Sequence, residues 1–231
     1  MRKIAIIPAR GGSKRIPRKN IKEFFGKPII AYSIDAALKS ALFDKVIVST
    51  DDYEIAEISK NYGAEVPFMR SEKNSNDFAT TADVLLEVIE NFRYKGYEFD
   101  HLCCIYPTAP FINSDHLKQG FDILNSTGAD SVIPVVRFSY PIQRAFKIEN
   151  GRLLMIWPEN LNARSQDLMP VYHDAGQFYW FKVESFIKQK KLFMDYTVPI
   201  EIPESEVQDI DNEEDWKIAE MKYKINKNMD Y

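Results

Sequence analysis

The first twenty residues, MRKIAIIPARGGSKRIPRKN, restrict what this chain can fold into more than any other stretch. The apolar run Ile4–Ile7 has the length of a buried strand, and Pro8 closes it. A Gly-Gly pair and five basic side chains follow at once: Arg10, Lys14, Arg15, Arg18 and Lys19, with Ser13 and Asn20 as neutral donors. Gly11 and Gly12 admit φ > 0 and bring backbone N–H groups close to an anion. A first strand opening into such a loop suits a nucleoside triphosphate; the alternative is a solvated basic turn before the next helix. Neither GxxxxGK[ST] nor GxGxxG occurs, which argues against P-loop ATPases and dinucleotide oxidoreductases.

Beyond the loop the pattern alternates between strand and helix, as a mainly parallel sheet with helices on both faces requires. Strands are expected at Lys3–Ile7, Lys45–Ser49, Glu65–Met69, His101–Tyr106, Ser131–Val136, Gln177–Lys182 and Val198–Ile202. Helices are expected at Pro28–Lys39, Tyr53–Asn61, Thr80–Phe92, Asp115–Ser126 and Asp211–Ile225. The chain reads as one domain, 1–231, interrupted at 138–172 by an excursion holding short β-like pieces and the apolar side chains Phe138, Tyr140, Phe146, Ile156 and Trp157. Apolar groups of that number suit a partner surface, here a homodimer interface, better than a mobile loop.

The net charge of −4 makes the basic loop a local feature, fit for a small anion and not for nucleic acid. No apolar run approaches the ~20 residues of a membrane span, and no signal-like segment opens the chain. Cys103 and Cys104 are neighbours on a strand, so they face opposite sides and read as core residues of a reduced, cytoplasmic protein. His101, His116 and His173 lack the spacing of a zinc site.

Two acidic stretches lie where ligands gather, outside the carboxyl ends of strands. In Ser49-Thr50-Asp51-Asp52, Asp52 either borders the site or caps the next helix. In Asp209-Ile210-Asp211, extended backbone would put both carboxylates on one face. Beside a triphosphate loop such a pair suits Mg²⁺, which takes one or two carboxylates plus phosphates; taken alone, Asp211 is an ordinary helix N-cap.

The run Ile7-Pro8-Ala9-Arg10-Gly11-Gly12-Ser13-Lys14-Arg15-Ile16-Pro17, followed by Lys19-Asn20, resembles the signature loop of the CMP-sugar synthetases, the acylneuraminate cytidylyltransferases. The resemblance covers nearly the whole chain. It implies a three-layer, Rossmann-like nucleotidyltransferase fold and a homodimer that couples CTP to an acidic nine-carbon sugar with Mg²⁺. On it, Ala9, Arg10, Gly11, Ser13, Lys14, Lys19 and Asn20 bind the nucleotide, joined by Arg70, Ala79 and Thr81. Asp77 falls on the same cytosine- and ribose-holding pattern, while Ser71 replaces the usual proline. Arg10, Lys19, Asp209 and Asp211 are the catalytic set, with Asp209 and Asp211 holding the metal.

Tyr106-Pro107-Thr108-Ala109-Pro110 resembles the Gln-Pro-Thr-Ser-Pro motif that faces the sugar in sialic acid synthetases. Tyr106 stands for Gln and Ala109 for Ser, which removes polar reach. Tyr106, Thr108 and Gln177 are expected at the sugar. Arg164, in an Arg-x-Gln-Asp-Leu segment on the excursion, would clamp its carboxylate bidentately, across to the partner's pocket. With His173-Asp174-Ala175-Gly176-Gln177-Phe178-Tyr179-Trp180, the pattern most resembles the pseudaminic acid cytidylyltransferases, whose product would serve surface-glycan or flagellin glycosylation. Synthesis of CMP-N-acetylneuraminate, CMP-legionaminate or CMP-ketodeoxyoctonate is the alternative within the family. Outside it stand a glycosyltransferase and a catalytically silent nucleotide-binding protein.

Overall fold

The computed structural model describes residues 1–229. Its strands are β1 (Lys3–Pro8), β2 (Glu23–Phe24), β3 (Lys27–Pro28), β4 (Lys45–Ser49), β5 (His101–Ile105), β6 (Ser131–Arg137), β7 (Phe146–Glu149), β8 (Arg152–Met155), β9 (Tyr172–Asp174), β10 (Phe178–Lys182) and β11 (Thr197–Glu201). The helices are α1 (Ile30–Ser40), α2 (Tyr53–Asn61), α3 (Thr81–Tyr94), α4 (Ser114–Thr127), α5 (Val183–Gln189) and α6 (Glu213–Lys227). A seven-stranded sheet runs β11-β6-β10-β5-β1-β4, with β9 also on β6. Strands β4, β1 and β5 are parallel neighbours, as are β6 and β11, while β10 lies antiparallel between β5 and β6. The sheet is mostly parallel, as the alternating pattern requires.

Strand β1 is an interior strand, between β5 and the edge strand β4, and both its faces are apolar: Ile4, Ala5, Ile6 and Ile7 are fully buried, as in a sheet covered on both sides. The paired cysteines show the two layers directly. Cys103 packs with α1 and α4 residues such as Ile34 and Leu117, whereas Cys104 packs with α3 residues such as Leu85 and Val88.

A third apolar cluster matters more for function. Ile16 from the basic loop and Ile210 from the carboxylate segment are both buried in it, with Phe24, Tyr32 and Trp216. The Phe24 ring stands edge-on to Tyr32, Trp216 and Tyr223, at centroid distances of 5.3–5.6 Å. These aromatic contacts pin α6 over the β2–β3 ladder. The two ends of the chain are thereby fastened at one place.

The segment 65–69 is not a strand; only Glu65 bridges to Ile47, and Pro67 lacks the N–H that a ladder would use. Pro28 ends β3 and does not open α1. Gly11 and Gly12 do not adopt positive φ. Gly11 is needed for space instead, since a Cβ there would lie 2.7 Å from Asp52 Oδ2. In the excursion, β7 and β8 form a hairpin closed by Asn150-Gly151, both at positive φ (51° and 72°), the turn that suits strand twist. Among the described residues no helix is long and apolar enough to cross a membrane.

Candidate active site

A cleft of about 530 Å³ opens at the carboxyl ends of β1 and β5. It is lined by Arg10, Ser13, Lys14, Lys19 and Asn20 from the first loop, by Arg70, Ala79 and Thr81 from the third, by Tyr106 and Thr108 after β5, and by Asp211. The structure thus gathers most of the expected site residues in one place. Arg15 of the basic loop joins them, and the structure adds others that sequence reasoning did not assign to the site: Ile16, the asparagines Asn74 and Asn76, Thr80 and Val84. The asparagines sit in a polar turn that carries no signal of its own in the sequence.

Each of the five loop cations has a carboxylate partner. Arg10 Nη1 lies 2.9 Å from Asp77 Oδ1, and Lys14 Nζ 2.5 Å from Asp77 Oδ2. Arg15 Nη2 meets Asp211 Oδ1 at 2.9 Å, and Lys19 Nζ stands 3.9 Å from the same oxygen. Arg18, held in the left-handed region at φ 55°, turns away to Asp52 and Glu54. Asp52 resolves its two readings as a cap: Oδ1 accepts from the Ile55 N–H at 3.0 Å. Its hydrogen bond from Arg18 holds its carboxyl below the usual carboxylate range. The loop is a pre-shaped cationic surface whose charges are already paired.

Asn20 fixes the loop from behind, donating through Nδ2 to the Arg10 carbonyl at 2.8 Å. Arg70 is largely buried and donates to Ser49 Oγ (3.1 Å) and to the Ser49 carbonyl, so part of its guanidinium is spent on tying the third loop to β4. Lys19 reaches across the chain and donates to the Ile210 carbonyl at 2.6 Å. Burial lowers its pKa. This bond clamps the basic loop to the carboxylate segment.

At that segment Val207 and Ile210 point into the core while Asp209 and Asp211 face outward. Partial desolvation first, and the Asp211 charge second, push the Asp209 pKa up. Two carboxylates repelling each other at the mouth of a cationic cleft are a donor set that a dication relieves, and hard oxygen ligands fit Mg²⁺. Among the described residues no three His, Cys, Asp or Glu side chains form a cage on their own, so phosphate oxygens would complete any coordination shell. Asp215 is committed elsewhere, accepting from the Asp211 and Asn212 N–H groups at the start of α6.

The far wall is apolar and hydroxylic. Tyr106 Oη is 3.4 Å from Thr81 Oγ1, and its ring lies edge-on to Tyr179 at 5.3 Å. Burial raises the Tyr106 pKa. Five expected residues are not among those lining the cleft, Asp209 being one. Ala9 is fully buried beneath it, and the Gly11 N–H is taken by Asp51 Oδ1 at 2.9 Å. Gln177 is buried, donating to the Glu206 carbonyl at 2.6 Å, with its Oε1 left unpartnered. Arg164 sits exposed on the excursion and pairs with Asp167 at 2.7 Å. Ala109 is buried as well, so its exchange for Ser is felt in the core and not at the cleft surface.

Residues 4–214 match the model of a family described as cytidylyltransferase. The chain is 42% identical over 227 residues to a pseudaminic acid cytidylyltransferase of Campylobacter jejuni, covering 98% of each. It is 33% identical over 234 residues to a CMP-N,N'-diacetyllegionaminic acid synthase of Legionella pneumophila, again covering 98% of each. Among solved structures, a CMP:2-keto-3-deoxy-manno-octonic acid synthetase complexed with CTP superposes with a TM-score of 0.71 at 17% identity, covering 99% of this chain and all of that one.

Proposed function

The chain belongs to the cytidylyltransferase family and is a nucleotidyltransferase; from that premise we propose that it couples CTP to pseudaminic acid, releasing pyrophosphate and a CMP-sugar. The observation that carries the chemistry is the meeting of the basic loop and the Asp209–Asp211 segment in one cleft, joined by the Lys19 bond to Ile210. The choice of sugar is supported by the Campylobacter jejuni relative and by Tyr106. A phenol ring beside Thr81 offers apolar surface with one hydroxyl pair, which suits a deoxy sugar bearing acylamino groups better than a polyhydroxylated one.

The anomeric hydroxyl of the sugar attacks the α-phosphorus in line: a new O–P bond forms, the hydroxyl proton passes to solvent water, the bond to the β-phosphate oxygen breaks, and pyrophosphate leaves with that electron pair. Arg10, Lys14, Arg15 and Lys19 hold the phosphates and stabilise the charge that gathers on the leaving group. Since attack and departure are opposite, the acceptor lies on the Tyr106–Thr108 side. Asp209 and Asp211 would hold Mg²⁺, which when bound supplies Lewis-acid neutralisation of phosphate charge.

The unit is proposed to work as a homodimer in the cytoplasm. Support for the dimer comes from the excursion, where Tyr140, Ile148, Leu153, Leu161 and Met169 are all more than 60% exposed in a patch that otherwise faces water. Arg164 lies on this same excursion and would serve the partner's cleft.

The deciding experiment is pyrophosphate release from CTP and Mg²⁺ with pseudaminic acid and N-acetylneuraminic acid in parallel. Release with pseudaminic acid alone is expected, and Asp209→Ala abolishes it with an unchanged circular dichroism spectrum. Release only with N-acetylneuraminic acid would overturn the sugar, and a fully active Asp209→Ala would overturn the metal site.

A further inference from the structure

We propose that Asp77 is a resident counter-anion of the phosphate loop: it occupies Arg10 and Lys14 in the empty enzyme, yields them to an incoming triphosphate, and takes them back as pyrophosphate departs. Both of its oxygens are engaged by the loop, Oδ1 with Arg10 at 2.9 Å and Oδ2 with Lys14 at 2.5 Å. Guanidinium and ammonium groups bind carboxylate and phosphate oxygens through the same donors, so the two anions compete for one place.

The strap that presents Asp77 does not need the carboxylate for its own shape. Its base is tied to α3, where Glu87 accepts from the Ser71 N–H at 2.9 Å and from Asn74 Nδ2 at 2.8 Å. At its tip Asn76 Oδ1 accepts from the N–H groups of Phe78 and Ala79, and Thr80 closes it with the capping box of α3. The Asp77 side chain is 48% exposed and Phe78 beside it 92% exposed, so the exchange is open to solvent. Asp52 caps α2, Asp211 belongs to the carboxylate pair, and Glu54 holds only Arg18, which does not line the cleft. Among the described carboxylates paired with cleft-lining cations, Asp77 is the one free to leave.

A resident anion and a direct nucleoside ligand predict opposite signs. In Asp77→Asn and Asp77→Ala, binding of CTP and of inorganic pyrophosphate is expected to tighten by about three- to tenfold at low salt, the scale of exposed ion pairs. CMP, which lacks the β- and γ-phosphates, is expected to change less than twofold. The advantage over the unaltered chain should fade as salt rises. The inference rests on the nucleotidyltransferase reading only for the choice of CTP; the pyrophosphate titration stands without it. CTP and CMP weakening together would make Asp77 a nucleoside contact and overturn the proposal. Any pattern in which pyrophosphate affinity fails to rise overturns it too. If CTP does not bind the unaltered chain while pyrophosphate tightens on the variants, the nucleotide reading fails and the counter-anion stands.

Discussion

At the scale of single residues, Asp52 shows how one side chain serves fold and site together. It caps α2 through the Ile55 N–H, anchors Arg18, and sits against Gly11 so closely that no side chain fits there. Asp52→Ala is expected to cost about 1 kcal/mol, the worth of an N-cap, with little more from the solvent-exposed Arg18 end. The pH dependence follows from the sign of the shift. Because the folded pKa lies below the ordinary value of 3.8, the ionised form stabilises the fold at neutral pH. That stability is lost as pH falls through the depressed folded value. The gap between the unaltered chain and Asp52→Ala in urea melts should therefore be full at pH 7 and narrow below pH ~4; a gap independent of pH would remove the ionic part of this account.

At the scale of elements, the packing of α4 on β10 is set by one glycine. A Cβ on Gly120 would meet the rigid Trp180 indole at 2.9 Å and the Phe178 ring at 3.0 Å. Gly120→Ala should gain helix propensity yet lose overall, by about 1–3 kcal/mol of overpacking, read as a lower urea midpoint with an unchanged slope. A stabilised variant would mean the aromatic pair moves aside. Such contacts mark what the sequence could and could not tell. Strand β1, helix α2 and the paired cysteines were legible because their signals are local: apolar runs, caps and neighbours in sequence. The segment 65–69 misled because it is rich in apolar residues while Pro67 denied it a ladder. Most of the cleft was legible through the basic loop and the Asp209–Asp211 pair. The partners of the loop cations were not, since Asp77, Asp52 and Ile210 come from distant parts of the chain and no spacing rule links them. Gln177 was misplaced because burial, not motif, decides where its amide goes.

At the scale of the whole molecule, the excursion carries apolar side chains left largely uncovered by the described residues, Leu153 at 65% exposure and Trp157 at 39% among them. Stable pairs of proteins bury about 800 Å² on each side, and a dimer through this face is expected in sedimentation. Leu153→Lys with Trp157→Glu should shift it to a monomer that keeps its CTP binding and loses sugar turnover, since Arg164 would no longer reach a neighbour; a monomeric unaltered chain would end the partner role of Arg164. The bond from Lys19 to the Ile210 carbonyl has a consequence for biosynthesis. A growing polypeptide completes β1 and its basic loop well before the segment that clamps that loop, which follows 191 positions later. Until that segment emerges, the nascent chain can pair the strands around β1 without holding a clamped loop, so the order of synthesis separates folding of the sheet from assembly of the site.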